Sequence, residues 1–370
     1  MREFASWLLR WLLGARWRRR AAWQSAPGAP LGARQGIRAP ELPPRQAAPA
    51  RRARSGSMAS WEEGRATMLK EAMLTLARQQ SIKGFVTHNP VGRKVARRFV
   101  AGERLDEALA VARTLNGRDI SVSLDHLGEN VNDAAEASAT AADYRATVAA
   151  IAAAGVEANI SIKLTALGLD IDEALCRENV ARVLDAAAEQ AMFVRVDMEG
   201  SPYTQRTLDF VRDLHREHDN VGTVLQTCLY RTPRDVDALI ADGIRVRLVK
   251  GAYLEPPVIA YPRKMDVDEQ YIRLMYELLD RGNYPAIATH DERIIAAARA
   301  HAERHQIPRA RFEFQMLYGI RRDLQDRLAR EGYNVRVYVP YGMEWYPYLT
   351  RRMAERPANL MFIVGNTLRG

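Results

Sequence analysis

The residues best suited to chemistry fall into two sets. The first is a series of polar side chains in, or just beyond, short apolar runs: Asp125, Lys163, Asp197, Glu199, Gln226, Arg247, Lys250, Thr289, His290, Gln315 and Tyr338. Each alone has an ordinary explanation: an inward Lys is usually paired with a carboxylate, and a lone His at a strand end usually braces the scaffold. Together they are harder to dismiss, because charge is rarely buried unless it is paired or used. The second set lies in EWYPYLTRRMAERPAN, which reads as a helix near 344–356. Tyr348 and Arg352 are four apart, as are Arg351 and Glu355, so these four share one face. Two adjacent guanidinium forks could converge on one carboxylate, their natural planar partner. The plain alternative is a solvated helix with an Arg351–Glu355 ion pair of little worth.

These sets exclude some chemistry. HxH and HExxH do not occur, and His290 has no His close by in sequence, which argues against a metal and against metal-assisted hydrolysis. No Ser or Cys stands in a nucleophile-elbow setting. What remains is a group of cationic and amide donors, Arg247, Lys250, Gln226 and His290. Such donors suit an anionic or electron-rich ligand, including a flavin whose reduced ring is negative.

Positioning these residues requires a repeating scaffold. Strand patterns occur at 120–124, 158–164, 193–198, 222–229, 244–251, 286–290, 311–317 and 335–340. Helical patterns fill the intervals, at 134–153, 172–190, 203–217, 232–242, 265–281, 292–305 and 320–331. Eight βα units in strict alternation specify parallel strands and predict a closed (βα)₈ TIM-type barrel. An open doubly wound sheet would carry a Gly-rich turn after its first strand, whereas DHLGEN has one glycine. In a barrel, the carboxyl ends of the strands line the active site, and that is where the polar set falls. The final helix, rich in aromatic residues, would then cover the mouth.

Further helices are expected at 61–80, 90–100 and 104–116. The predicted organisation is therefore a leader over 1–57, N-terminal helices over 58–118, and a catalytic barrel over 119–370. The net charge of +9 belongs to the leader, where 12 Arg face two acids. The rest balances 42 basic against 43 acidic residues, so no nucleic-acid groove is implied. The leader reads as a disordered or upstream extension, with the functional protein starting at Met58; targeting or contact with an anionic membrane stays open. Two distant cysteines, Cys176 and Cys228, fit a reducing, cytoplasmic setting. No run of 18 apolar residues suggests a membrane span.

The motifs SVSLDHLGE, ISIKLTALG, VRVDMEGS, VLQTCLYRT, VRLVKGAY, IATHD, EFQMLYGIR, VRVYVPYG and WYPYLTRRMAERPAN resemble, in order over roughly 60–370, those of the monofunctional proline dehydrogenase family. The resemblance implies FAD as cofactor, L-proline as substrate and a quinone as electron acceptor, with peripheral contact at the inner face of a membrane. It implies that Asp197, Arg247 and Tyr338 are catalytic, with Asp197 and Arg247 at the flavin. Flavin contacts would come from Met198, Gln226, Arg247, Lys250, Gly251, Ala252, Thr289 and His290. Lys163, Leu317, Tyr338 and Tyr348 would shape the proline pocket. Arg351 and Arg352 would bind the carboxylate, with Glu355 holding them. Two departures bear on how tightly FAD is held: Cys228 replaces an aromatic residue, and Asp291 stands where Asn is frequent. Three rivals remain open: a cofactor-free lyase with Lys163 or Lys250 as a Schiff-base nucleophile, hydroxyproline as substrate, and a binding protein without turnover.

Overall fold

The computed structural model describes residues 96–128 and 131–355, with backbone alone for 353–355. The leader, the expected helix over 61–80 and most of that over 90–100 lie outside these described residues, as does the side chain of Glu355. Helix α1 (Leu105–Asn116) leads into β1 (Ser121–His126). There follow α2 (Ala134–Ala154), β2 (Ala158–Ile162), α3 (Glu173–Ala188), β3 (Val194–Val196), α4 (Thr204–His215) and β4 (Val221–Gln226). The chain continues through α5 (Thr232–Ala241), β5 (Arg245–Val249), α6 (Lys264–Arg281), β6 (Ala286–Ala288), α7 (Glu292–Arg304) and β7 (Glu313–Leu317). It ends in α8 (Arg322–Arg330), β8 (Asn334–Tyr341) and α9 (Trp345–Glu355).

The eight strands form the expected closed barrel in sequential order. Every pair is parallel, and β1 closes the ring by pairing Leu124 with Ile160 of β2 and with Val339 of β8. Helices start where the sequence offers caps: Asp133 and Asp172 accept the backbone N–H groups of Glu136 and Leu175, satisfying donors that a helix end leaves unpaired.

Several strands stop earlier than the sequence suggested. The runs expected to reach Leu164, Met198, Leu229, Gly251 and His290 end at Ile162, Val196, Gln226, Val249 and Ala288. The surplus residues form the rim. Lys163, Asp197, Lys250 and His290 therefore sit just past the strand ends, with Asp197 still donating its N–H to the Ile162 carbonyl and the Lys250 carbonyl accepting from the Cys228 N–H.

The interior of the barrel is polar. Apolar residues of the strands, such as Val122, Ile160, Ile162, Val194, Val196, Val246, Leu248 and Val337, belong to the main hydrophobic cluster with helix residues such as Val180, Val183 and Leu274. The alternate positions carry Ser123, Asp125, Ser161, Arg195, Arg247, Glu313 and Gln315, and all are buried. Arg247 on β5 bonds Ser161 on β2 and Gln315 on β7, strands that are not its neighbours. Such bonds cross the barrel, so the polar face of each strand points inward. A second cluster of Phe99, Val100, Leu127, Trp345, Tyr346, Tyr348 and Leu349 fastens α9. Trp345 also donates its indole N–H to Glu103 at 3.2 Å.

Candidate active site

The mouth of the barrel holds a cavity of about 440 Å³, a volume that takes up a small organic ligand. Every described residue assigned to the site from the sequence lines it, while Cys228 packs behind Gly251. From the first half of the barrel come Lys163, Asp197, Met198 and Gln226. The second half supplies Arg247, Lys250, Gly251, Ala252, Thr289, His290, Leu317 and Tyr338, and α9 adds Tyr348, Arg351 and Arg352. Glu355, expected to hold the two arginines, lies outside the described side chains.

Arg247 is the hub. Its Nη1 donates to Asp197 Oδ1 at 2.6 Å, Nη2 to Ser161 at 3.1 Å, and Nε to Gln315 Oε1 at 2.5 Å. Its guanidinium faces the Tyr338 ring, 5.2 Å from the centroid. The Tyr338 hydroxyl donates to Asp197 Oδ2 at 2.7 Å, so that carboxylate accepts a charge-assisted bond on one oxygen and a phenolic bond on the other. Burial, then the charges of Asp125 and Asp197, raise the pKa of Tyr338 well above the usual phenol value, which keeps its proton in place as a donor.

Lys163 donates to Asp125 at 2.7 Å in a pair that is almost wholly buried. Burial raises the pKa of the Asp125 carboxyl; Lys163 only partly offsets this, and Asp197 adds to it. Lys250 lies between Asp268 at 2.6 Å and Asp291 at 3.2 Å. Both lysine amines are thus engaged by acidic side chains, where a Schiff-base nucleophile would have to reach a substrate carbonyl.

Asp291 has a double task. It caps α7 by accepting the N–H of Arg293, and it reaches Lys250. Its bonds to Arg293 and Lys250 outweigh burial and bring its pKa down to about 2. An Asn there would keep the cap and lose the ion pair. His290 Nε2 accepts the backbone N–H of Leu317 at 3.0 Å, which places the imidazole proton on Nδ1. Gln226 donates its amide nitrogen to the Glu199 carbonyl at 3.0 Å. Gly251 has φ +107°, and a Cβ there would collide with Cys228 Sγ. The second family departure, Cys228, therefore packs into the space that the glycine leaves.

In chemical terms the cavity has apolar walls from Met198, Val224, Val249, Ala288 and Leu317, edged by the donors Arg247, Lys250 and Gln226. That arrangement suits a planar heteroaromatic ring with acceptor atoms along its rim. On α9 the Arg352 guanidinium stands over the Tyr348 ring, 5.3 Å from its centroid. Sequence reasoning missed Ser161, Glu313, Arg195 and Arg336, which build the floor below, and Asp268, which completes the clamp on Lys250. The strand residues among them fall on the polar side of an alternating pattern, which by itself does not say whether that side faces inward or to water, and Asp268 lies on α6. Asp280, His301 and His305 form one group among the described residues with metal-ligand spacing, but none of them lines the cavity. The two histidines stand in an HxxxH spacing, which is neither HxH nor HExxH.

Comparison with known proteins places this architecture. The proline dehydrogenase family model matches residues 108–364. Proline dehydrogenase 2 of Bacillus subtilis (strain 168) is 43% identical over 270 residues, covering 73% of this chain and 89% of its own. Proline dehydrogenase of Deinococcus radiodurans is 43% identical over 310 residues, covering 82% of this chain and 99% of its own. The crystal structure of proline utilization A from Bdellovibrio bacteriovorus, inactivated by N-propargylglycine, superposes with a TM-score of 0.69 at 26% identity. That match covers 81% of this chain and 38% of the longer Bdellovibrio protein. The chain belongs to the proline dehydrogenase family.

Proposed function

We propose that the barrel mouth binds FAD beside L-proline and that the chain oxidises proline to Δ1-pyrroline-5-carboxylate. The observation that carries this reading is the Arg247 hub: a buried guanidinium, held from below and from the side, lining a cavity with apolar walls and with two further arginines at its lid. The donor set fits FAD. Arg247, Gln226 and Lys250 would meet acceptor atoms of the ring system, and Met198, Thr289 and His290 would line its course. Gly251 and Ala252 present backbone where a side chain at 251 has no room.

Bound FAD would supply the acceptor for a hydride from the proline ring carbon beside the nitrogen, whose own N–H proton is lost as the imine forms. The protein's residues do the rest. Arg351 and Arg352 bind the carboxylate and fix which carbon faces inward. Lys163 with Asp125, Leu317, Tyr338 and Tyr348 shape the space around the ring. Asp197 and Tyr338 hold Arg247 against displacement, so that its charge meets the negative charge that develops on reduction without reorganising. Positioning of this kind contributes several kcal/mol, because the reactants are already oriented.

A quinone as final acceptor and peripheral contact with a membrane complete the proposal. No helix among the described residues is long and apolar enough to cross a membrane. The Arg-rich segment over 1–57 offers the charge for an anionic surface. Comparing full-length and Met58-start proteins on phosphatidylserine vesicles tests that part. Equal binding by both removes the leader's role.

The central test is an anaerobic absorption spectrum of the purified protein. A flavin spectrum that bleaches on adding L-proline supports the reading, and titration with hydroxyproline in parallel ranks the two substrates. A colourless protein, or a yellow one indifferent to proline, refutes it. The lyase alternative needs an amine free to reach a carbonyl, whereas Lys163 and Lys250 are held by Asp125, Asp268 and Asp291; borohydride trapping of a Lys163 or Lys250 adduct would revive it.

A further inference from the structure

Beneath the cavity a chain of hydrogen bonds runs from the amino-terminal end of the barrel to its mouth. Arg336 Nε donates to Glu313 at 3.0 Å, and Gln315 Nε2 donates to the same carboxylate. Gln315 Oε1 accepts from Arg247 Nε at 2.5 Å, Arg247 donates to Asp197, and Asp197 accepts from Tyr338. The floor is set by Arg336, which also donates to the Val122 carbonyl at 2.9 Å.

Every bond but those of Gln315 has a direction fixed by chemistry. A guanidinium only donates and a carboxylate only accepts. Glu313 is nearly fully buried, yet its pKa lies below the usual glutamate value: burial works against ionisation, and Arg336, the Gln315 bond and Arg195 outweigh it. The amide of Gln315 is the one member that could be turned end for end. Turned, its NH₂ would face the Arg247 N–H and its carbonyl would face the Glu313 carboxylate, breaking both bonds. The ionised Glu313 therefore selects one orientation of Gln315, and that orientation puts an acceptor under Arg247 Nε. Three of the five guanidinium N–H groups go to Gln315, Asp197 and Ser161, leaving one on each of Nη1 and Nη2.

We propose that Glu313 and Gln315 are positioning residues that set the plane of the Arg247 guanidinium from below, so that its two remaining N–H groups are presented to the flavin. This rests on the reading of Arg247 as a flavin contact. Gln315 has a further merit in this place: it passes orientation upward as a neutral group. The Glu313 charge is spent on Arg336 and Arg195, not on Arg247.

The test uses full-length holoenzyme. Gln315→Met keeps the volume and removes both bonds. The variant should lower kcat about tenfold or more and leave the proline KM within about twofold, because α9 is untouched. Its FAD should be harder to reduce by about tenfold in the equilibrium, which is ~30 mV for a two-electron couple. Its FAD dissociation constant, measured by fluorescence without any substrate, should rise. Gln315→Met in an Arg247→Met background should then shift the potential no further, the non-additivity expected of residues that act through one another. A second route removes the selector: Glu313→Gln with Arg336→Met keeps the charge sum and leaves Gln315 free to turn, and should lower the potential in the same direction.

A purely structural role would lower Tm in these variants with wild-type potential and wild-type kcat, and that result overturns the proposal. So does an equal potential shift from Gln315→Met with or without Arg247. If Arg247→Met alone leaves the potential and FAD affinity unchanged, the fault lies with Arg247 as a flavin contact and not with the pair beneath it.

Discussion

Arg247→Lys separates charge from geometry at the hub. The substitution keeps one positive charge under the cavity and discards the planar fork. An ammonium whose donors radiate from one atom can reach Asp197, the partner at 2.6 Å, but cannot also span Gln315 and Ser161. Ser161 loses little, since its hydroxyl stays 3.1 Å from Ser123. Gln315, 4% exposed, loses the Arg247 donor on its carbonyl oxygen. A buried acceptor left without a donor costs about 1–3 kcal/mol. For a domain of this size that is a fall in Tm of roughly 2–12 °C. On the proposed reading the retained charge is no longer aimed, so flavin reduction by proline slows by about 10- to 100-fold, equivalent to ~1.4–2.7 kcal/mol on the barrier. Scanning calorimetry reads the first number and anaerobic stopped-flow absorbance the second. A variant with wild-type Tm and a wild-type reduction rate would refute the claim that the three-point bond pattern matters.

Three further outcomes are expected. Arg351→Met removes a charge-assisted bond of about 1.5–3 kcal/mol to the substrate carboxylate, raising the proline KM by roughly one to two orders of magnitude; steady-state kinetics with an unchanged KM would remove Arg351 from the substrate grip. Gly251→Ala places a Cβ against Cys228 Sγ at φ +107°, so FAD retention after gel filtration should drop, and adding Cys228→Ala should restore only part of it because the backbone strain persists. Asp291, Asp268 and Glu313 all have folded-state pKa values below their ordinary ones, with Asp291 at about 2. The folded state therefore binds fewer protons than the unfolded chain, and their stabilisation is present above pH ~4 and lost as pH falls toward ~2. Melting curves between pH 6 and 2.5 should show this loss, and Asp291→Asn, which keeps the α7 cap, should make it shallower.

The order and number of strands were legible because the apolar half of each strand recurs between amphipathic helices, a pattern that specifies parallel pairing. The strand ends were less legible. ISIKL and VRVDM continue the alternation past the strand ends, and nothing in residue type says where pairing stops; Lys163 and Asp197 are released at the rim by the geometry of closure. The substrate-side residues were found through motifs, since Arg351 and Arg352 read alone fit a solvated ion pair. The floor was missed for a different reason. Alternation such as R-V-R or E-F-Q has the same pattern as a half-exposed strand with its polar face in water. Only the bonds from β5 to β2 and β7 reveal that the polar face is the inner one. The positions of Glu313 and Gln315, two apart in one strand, carry no sequence signal that separates a brace from a solvated edge.

A barrel interior filled with charge calls for an explanation, because a buried ion pair gains less from attraction than its groups lose in desolvation unless the geometry is close and the remaining bonds are made. Apolar branched residues fill most such barrels and would serve folding better. Here the interior holds the cations Lys163, Arg195, Arg247 and Arg336 against the carboxylates Asp125, Asp197 and Glu313. Arg195 donates to the carbonyls of Thr223 and Arg245 and stacks on Phe193, so it plugs the lower end through backbone acceptors and shares the Glu313 charge with Arg336. With Glu199, also buried at the cavity, four cations stand against four carboxylates, and burial works against charge on both sides, raising the Asp125 pKa and lowering that of Arg195. Such a balanced set gives the fold little by itself; on the proposed reading, a carboxylate substrate and an anionic reduced ring bring negative charge to the mouth, where Arg247, Arg351 and Arg352 line the cavity. On that reading the polar interior is electrostatic preparation, with the Arg247 guanidinium already fixed by Asp197, Ser161 and Gln315 before a ligand arrives.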